Sequence, residues 1–189
     1  MAAIPTVTSL GSVVEAIRSS TASAGMTTRI VAVDGPGGAG KSSLAAFLAR
    51  ELGAAVVHTD DFASWDNPID WWPQLIETVL SPLAAGRPAR YTPTIWGGPH
   101  KEDVVVDPGG FVILEGVTAS RRAFRPYLAY AIWIETPRAL RLRRGLERDG
   151  EEARGDWEGW MAGEDAYVNR ERPAEHADVV LPGDADQWT

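Results

Sequence analysis

Leu10, Val13, Val14 and Ile17 recur at helical spacing between Thr8 and Ser20, and Ser12 with Glu15 fits a capping box. This predicts a short amphipathic helix. The small polar stretch Ser19 to Thr28 reads as a linker. Arg29 to Asp34 (RIVAVD) is β-branched and apolar throughout, the pattern of a strand buried on both faces. Glycines cluster from 35 to 40, and Lys41 to Leu52 then reads as a helix stopped by Gly53. Further strands are predicted at 54–60, 111–115, 130–135 and 177–181. Helices are predicted at 70–85, from Pro137 to about Asp149, and at 155–172. Asp70 is the expected cap of the first of these. Pro73 is tolerable in its first turn, whereas Pro82 should break or kink it. Residues 87–108 are rich in Pro and Gly, with a short extended piece at Val104 to Val106. Strands alternating with helices imply βαβ units and a parallel sheet covered on both faces.

The chain has 189 residues, enough for one domain with its own core. It has no cysteine, which excludes disulfides, thiolate metal sites and a cysteine nucleophile. The net charge of −8 argues against non-specific binding to nucleic acid or to an anionic membrane. No apolar run is long enough to span a bilayer, and the N-terminus lacks the basic-then-apolar order of a signal peptide. A cytoplasmic protein, a monomer or small homo-oligomer, is expected.

The chemistry concentrates in Gly35-Pro36-Gly37-Gly38-Ala39-Gly40-Lys41-Ser42, followed by Ser43. This matches the P-loop pattern G-x-x-x-x-G-K-[ST] in its required setting, after a strand and opening a helix. Composition alone would produce the pattern in roughly 0.2% of such chains. Glycines let backbone N–H groups close around phosphate oxygens, and the helix N-terminus adds positive potential. Lys41 would reach the β- and γ-phosphates of ATP, and Ser42 would ligate Mg²⁺. The same letters contain G-x-G-x-x-G, and Asp60 lies where a dinucleotide site would have its ribose-binding acid. Lys-Ser after the third glycine favours the triphosphate reading. No Asn-Lys-x-Asp motif is present to read guanine.

Candidate acceptor-side residues follow. His58-Thr-Asp60-Asp61-Phe62 closes the second strand, at the sheet edge where ligands bind in parallel α/β folds. Asp60 could take the proton of an attacking hydroxyl, and Asp61 could serve Mg²⁺ or the substrate. Glu115 ends the apolar strand Phe111 to Leu114 and suggests a carboxylate that orients Mg²⁺. Arg138, Arg141, Arg144 and Arg148 fall near one helix face, where guanidinium groups could meet phosphate. At least two of the four are expected to do so. Tyr91, Trp96 and His100 could stack on a base or sugar. His58 and His176 read as structural, and Trp157 and Trp160 as packing or as a roof over the acceptor.

Together these residues resemble the uridine kinase-like branch of the P-loop nucleoside and nucleotide kinases. The resemblance runs from about residue 29 to 183. It rests on residues 33–42, Asp60-Asp-Phe62, Leu83-Ala-Ala-Gly-Arg87 followed by Tyr91, Val112-Ile-Leu-Glu-Gly116 and residues 141–149. It implies a three-layer α/β/α P-loop NTPase fold, with a parallel sheet of about five strands and a helical lid at about 137–172. Residues 1–28 are expected to form an N-terminal helix and linker ahead of a P-loop kinase domain at 29–189.

The resemblance further implies ATP and Mg²⁺, Asp60 as general base, Glu115 at the metal, and lid arginines on the phosphates. Arg141 would then bind nucleotide, and Arg144 and Arg148 would act in catalysis beside Lys41. Pro182-Gly183 would lie near adenine. Where the family reads Tyr-Asp-Phe, this chain has Tyr91-Thr-Pro-Thr-Ile-Trp96, so the acceptor does not carry over. A nucleoside is the first candidate; a nucleoside monophosphate, a vitamin or an antibiotic are others. A non-catalytic ATP-binding module is the alternative of a different class.

Overall fold

The computed structural model describes residues 9–63, 71–94 and 102–183. Trp96 and His100 lie outside them, as does Asp70. The chain follows the order α1 (Leu10–Ser19), β1 (Arg29–Asp34), α2 (Lys41–Leu52), β2 (Ala55–His58), α3 (Trp72–Leu75), α4 (Ser81–Ala84), β3 (Ala89–Tyr91), β4 (Val104–Val106), β5 (Phe111–Glu115), β6 (Leu128–Glu135), α5 (Arg138–Asp149), α6 (Arg154–Glu171), α7 (Pro173–His176) and β7 (Val179–Pro182).

Five strands form one parallel sheet in the order β2-β5-β1-β6-β7. The unbroken apolar runs have a simple cause, since both sheet faces are covered. Alternate residues of β1 face opposite ways. Val31 and Val33 pack with Ile113, Ile132, Ile134, Leu44 and Leu48, together with Val13, Val14 and Ile17 of α1. Ile30 and Ala32 pack with Val112, Leu114, Leu75, Leu83 and Phe124 on the other side. Each fully buried Val, Leu or Ile contributes about 1.5–3 kcal/mol.

Register fixes the site. Val33 and His58 both pair with Glu115, so β1, β2 and β5 end at the same edge.

Two local expectations are corrected and a third is refined. Helix α1 starts at Leu10 with Ser9 as cap, its Oγ accepting from the Ser12 N–H, so Ser12 is not the capping residue. Pro82 does not end its helix, but the α-helical pattern is interrupted just ahead of it, in keeping with the expected disturbance. A π-turn over Ile76–Leu80 separates α3 from α4, and each proline sits in the first turn of its short helix. The Ser81 N–H reaches back to the Ile76 carbonyl, and the wider turn absorbs proline's missing donor. Pro137 caps α5 from outside and is not its first residue. In the Pro- and Gly-rich segment, Ala89–Tyr91 pairs antiparallel with Val104–Val106 as a separate two-stranded sheet.

Candidate functional site

The loop from Gly35 to Gly40 joins the C-terminal end of β1 to the N-terminus of α2. Gly40 caps α2 at φ 94°, a left-handed conformation that a β-carbon would strain. Lys41 is almost fully buried and donates from Nζ to the Pro36 carbonyl at 2.9 Å, across the loop. Burial pushes its ammonium down from the usual lysine range, while Glu115, Asp34, Glu164 and Asp60 oppose the shift. The four carboxylates offset part of the cost of burying the ammonium.

Beside the loop, the Ser42 hydroxyl donates to Glu115 Oε1 at 3.2 Å. Glu115 Oε2 lies 2.6 Å from His58 Nδ1. That hydrogen bond holds the His58 imidazolium up from its usual range. Read from sequence as structural, His58 is thus in direct contact with Glu115.

A cavity of about 1050 Å³ opens over the loop. Lys41, Ser42, Asp60, Glu115, Arg144 and Arg148 all border it, as do Trp157, Trp160 and Gly183. Asp60 is part of its wall. The surrounding protein pushes its carboxyl up from the ordinary aspartate value, with Lys41 pulling the other way.

Asp61 turns elsewhere. Its Oδ2 accepts the Tyr91 hydroxyl at 3.2 Å. Phe62 packs at a tilt against Tyr91 with ring centroids 4.8 Å apart, and both rings are buried in the core that includes Val57 of β2. They support the Asp60 turn from below.

The four arginines of α5 do not act alike. Arg138 pairs with Asp165 at the surface, and Arg141 is buried against Glu164 at 3.0 Å. Arg144 Nη1 donates to the carbonyls of Gly38 and Gly183, tying α5 to the loop and to the end of β7. Arg148 makes a two-pronged contact to Asp149, and its guanidinium lies 5.5 Å from the Trp157 ring centre. Only Arg144 and Arg148 of these four border the cavity. Gly145 lies between them, where the Trp157 indole packs so close that a β-carbon would collide with it.

Sequence reasoning missed Asp34. It is fully buried and accepts five hydrogen bonds, from the N–H groups of Gly35, Thr118 and Ser120 and from the hydroxyls of Ser120 and Tyr167. Burial pushes its carboxyl up, and the bonds from Ser120, Tyr167 and Gly35 oppose the shift. One side chain thereby joins the loop, the segment after β5 and helix α6. Tyr167→Phe should lower unfolding stability by about 1–3 kcal/mol, read by urea denaturation. A loss below about 0.5 kcal/mol would show that the remaining donors suffice.

Among the described residues, no three His, Asp or Glu side chains gather as a metal cage. Mg²⁺ does not require one, because it keeps several waters and binds through one or two protein oxygens plus substrate phosphates. The hard oxygens of Ser42 and Glu115, side by side at the loop, fit that demand.

The five-stranded parallel sheet, its helices on both faces and the β1–loop–α2 unit define a P-loop NTPase fold of three α/β/α layers. Three solved structures similar to it carry kinase names. A possible uridine kinase from Bacillus stearothermophilus matches at 18% identity and TM-score 0.67, over 90% of this chain and 96% of its own. A proposed fructose transport system kinase from a Silicibacter species matches at 19% identity and TM-score 0.68, over 93% and 100%. A sugar kinase from a Janibacter species matches at 19% identity and TM-score 0.53, over 85% and 88%. No protein-family model matches the chain, and no curated protein sequence does. No helix among the described residues is long and apolar enough to cross a membrane.

Proposed function

We propose that the chain is an ATP-dependent kinase that transfers the γ-phosphoryl group to a hydroxyl of a small metabolite, with nucleosides the first acceptors to test. The observation that carries this reading is one cavity bordered by Lys41, Ser42, Asp60 and Glu115. It sets a buried ammonium, two hard oxygen donors and a carboxylate of raised pKa around a single space.

The loop amides and Lys41 hold the triphosphate. Ser42 and Glu115 would hold Mg²⁺, which when bound neutralises charge on the phosphate oxygens. Asp60 takes the proton of the acceptor hydroxyl as its oxygen bonds to the γ-phosphorus. ADP leaves as the bond between the γ-phosphorus and the bridging oxygen breaks. Arg144 and Arg148 face the negative charge that spreads over the moving group. Closure of α5 and α6 over the cavity would keep water from the γ-phosphate.

A sugar is the second acceptor class, favoured by the names of two of the similar structures.

The test is ADP release with Mg·ATP across a panel of nucleosides, sugars, nucleoside monophosphates and hydroxylated vitamins. ADP should appear together with an equal amount of one phosphorylated acceptor. Tight ATP binding with no phosphorylated product from any member would instead identify a nucleotide-binding module.

A further inference from the structure

Helix α6 lays Trp157, Trp160, Glu164 and Tyr167 along one side, at spacings of three and four residues. Glu164 is the unexpected member. Its side chain is only 3% exposed, yet it is a carboxylate set against a loop built for anions. Oε1 accepts from the Gly37 N–H at 2.7 Å and from the Trp160 indole N–H at 2.6 Å. Oε2 accepts from Arg141 Nη1 at 3.0 Å, and Arg141 Nε donates to the Thr136 carbonyl at 3.2 Å.

Buried ion pairs of this kind rarely stabilise more than apolar side chains of equal volume. Stability alone therefore gives little reason for a carboxylate here. A bare carboxylate would also repel a triphosphate, and Arg141 cancels that charge. What remains is an acceptor aimed at one backbone amide.

We propose that Glu164 is a positioning residue for the nucleotide, resting on the kinase reading above. It holds the Gly37 amide against α6 and so sets the shape of the loop before phosphate arrives. Arg141 serves to neutralise Glu164 and is withdrawn from the phosphates. Lys41, Arg144 and Arg148 are left to carry the charge of the transferred group. A loop already fixed loses less freedom on binding, so the contact acts through nucleotide affinity.

Two double variants isolate the amide contact without leaving a lone buried charge. Arg141→Met/Glu164→Gln keeps an oxygen that can accept from Gly37, and Arg141→Met/Glu164→Met keeps none. Calorimetric titration with Mg·adenylyl imidodiphosphate should show the Met/Met protein binding about tenfold more weakly than the Met/Gln protein, at matched melting temperatures. Equal binding by the two, or tighter binding by Met/Met, overturns the proposal and leaves the kinase reading intact. Absence of binding by the unaltered chain overturns both. Should the Met/Met protein not fold, hydrogen exchange of the Gly37 amide in the unaltered chain without nucleotide decides. Protection is expected, and exchange at the rate of an open loop overturns the proposal.

Discussion

Replacing Lys41 with alanine is expected to lower turnover by about 10³-fold, or about 4 kcal/mol of transition-state stabilisation. The expectation rests on where the ammonium sits. It is nearly buried, held by the Pro36 carbonyl, and borders the same cavity as Asp60 and Glu115. In such a setting a charge is screened little, so its attraction for a moving phosphoryl group far exceeds that of a surface lysine. The fold should persist. Burial already works against the ammonium, so its removal also removes a desolvation cost. The opposing loss is the cation that Glu115, Asp34, Glu164 and Asp60 share, and a fall of a few degrees in melting temperature is expected. ADP release with the best acceptor, beside circular dichroism, is the measurement. Near-normal turnover would remove Lys41 from the mechanism.

Much of this site is legible along the chain because its signals are local. Residues 35 to 42 announce themselves by spacing, and the apolar runs at 29–34 and 111–115 place the loop and Glu115 at one sheet edge. What stays hidden depends on contacts across the fold. Gly37 and Glu164 stand 127 residues apart, and Asp34 and Tyr167 stand 133 apart. No sequence window joins them. Trp157 and Trp160 read as packing or as a roof over the acceptor, and nothing along the chain ties Glu164 or Tyr167 to the loop. The arginines of α5 show the same limit from the other side. Periodicity puts Arg138, Arg141, Arg144 and Arg148 near one face, yet it cannot say which carboxylate each meets. Asp165 and Glu164 take the first two, and the cavity receives the others. Pro82 signals a disturbed helix by its own propensity, and the form of the disturbance, a π-turn that interrupts the helix without ending it, is set by the packing around it.

Asp60→Asn should cut kcat by about 10²- to 10⁴-fold while leaving the Kd for Mg·adenylyl imidodiphosphate within about threefold. Asparagine matches aspartate in shape, so the turn after β2 and the Phe62–Tyr91 pair beneath it should hold. What it loses is the ability to take a proton. The surrounding protein raises the Asp60 pKa, and Glu115 adds to the rise, while Lys41 and His58 oppose it. A higher pKa makes the carboxylate a stronger base, provided it is ionised at the working pH. The sign of the pH dependence follows. As pH falls through this raised value Asp60 gains a proton and turnover declines, so the acid limb of the kcat profile should lie above the usual aspartate range of about 3.9. In the asparagine variant that limb should vanish, leaving a low and flatter profile. A fall confined to the KM for ATP, or an acid limb that persists unchanged, would assign the proton to another group.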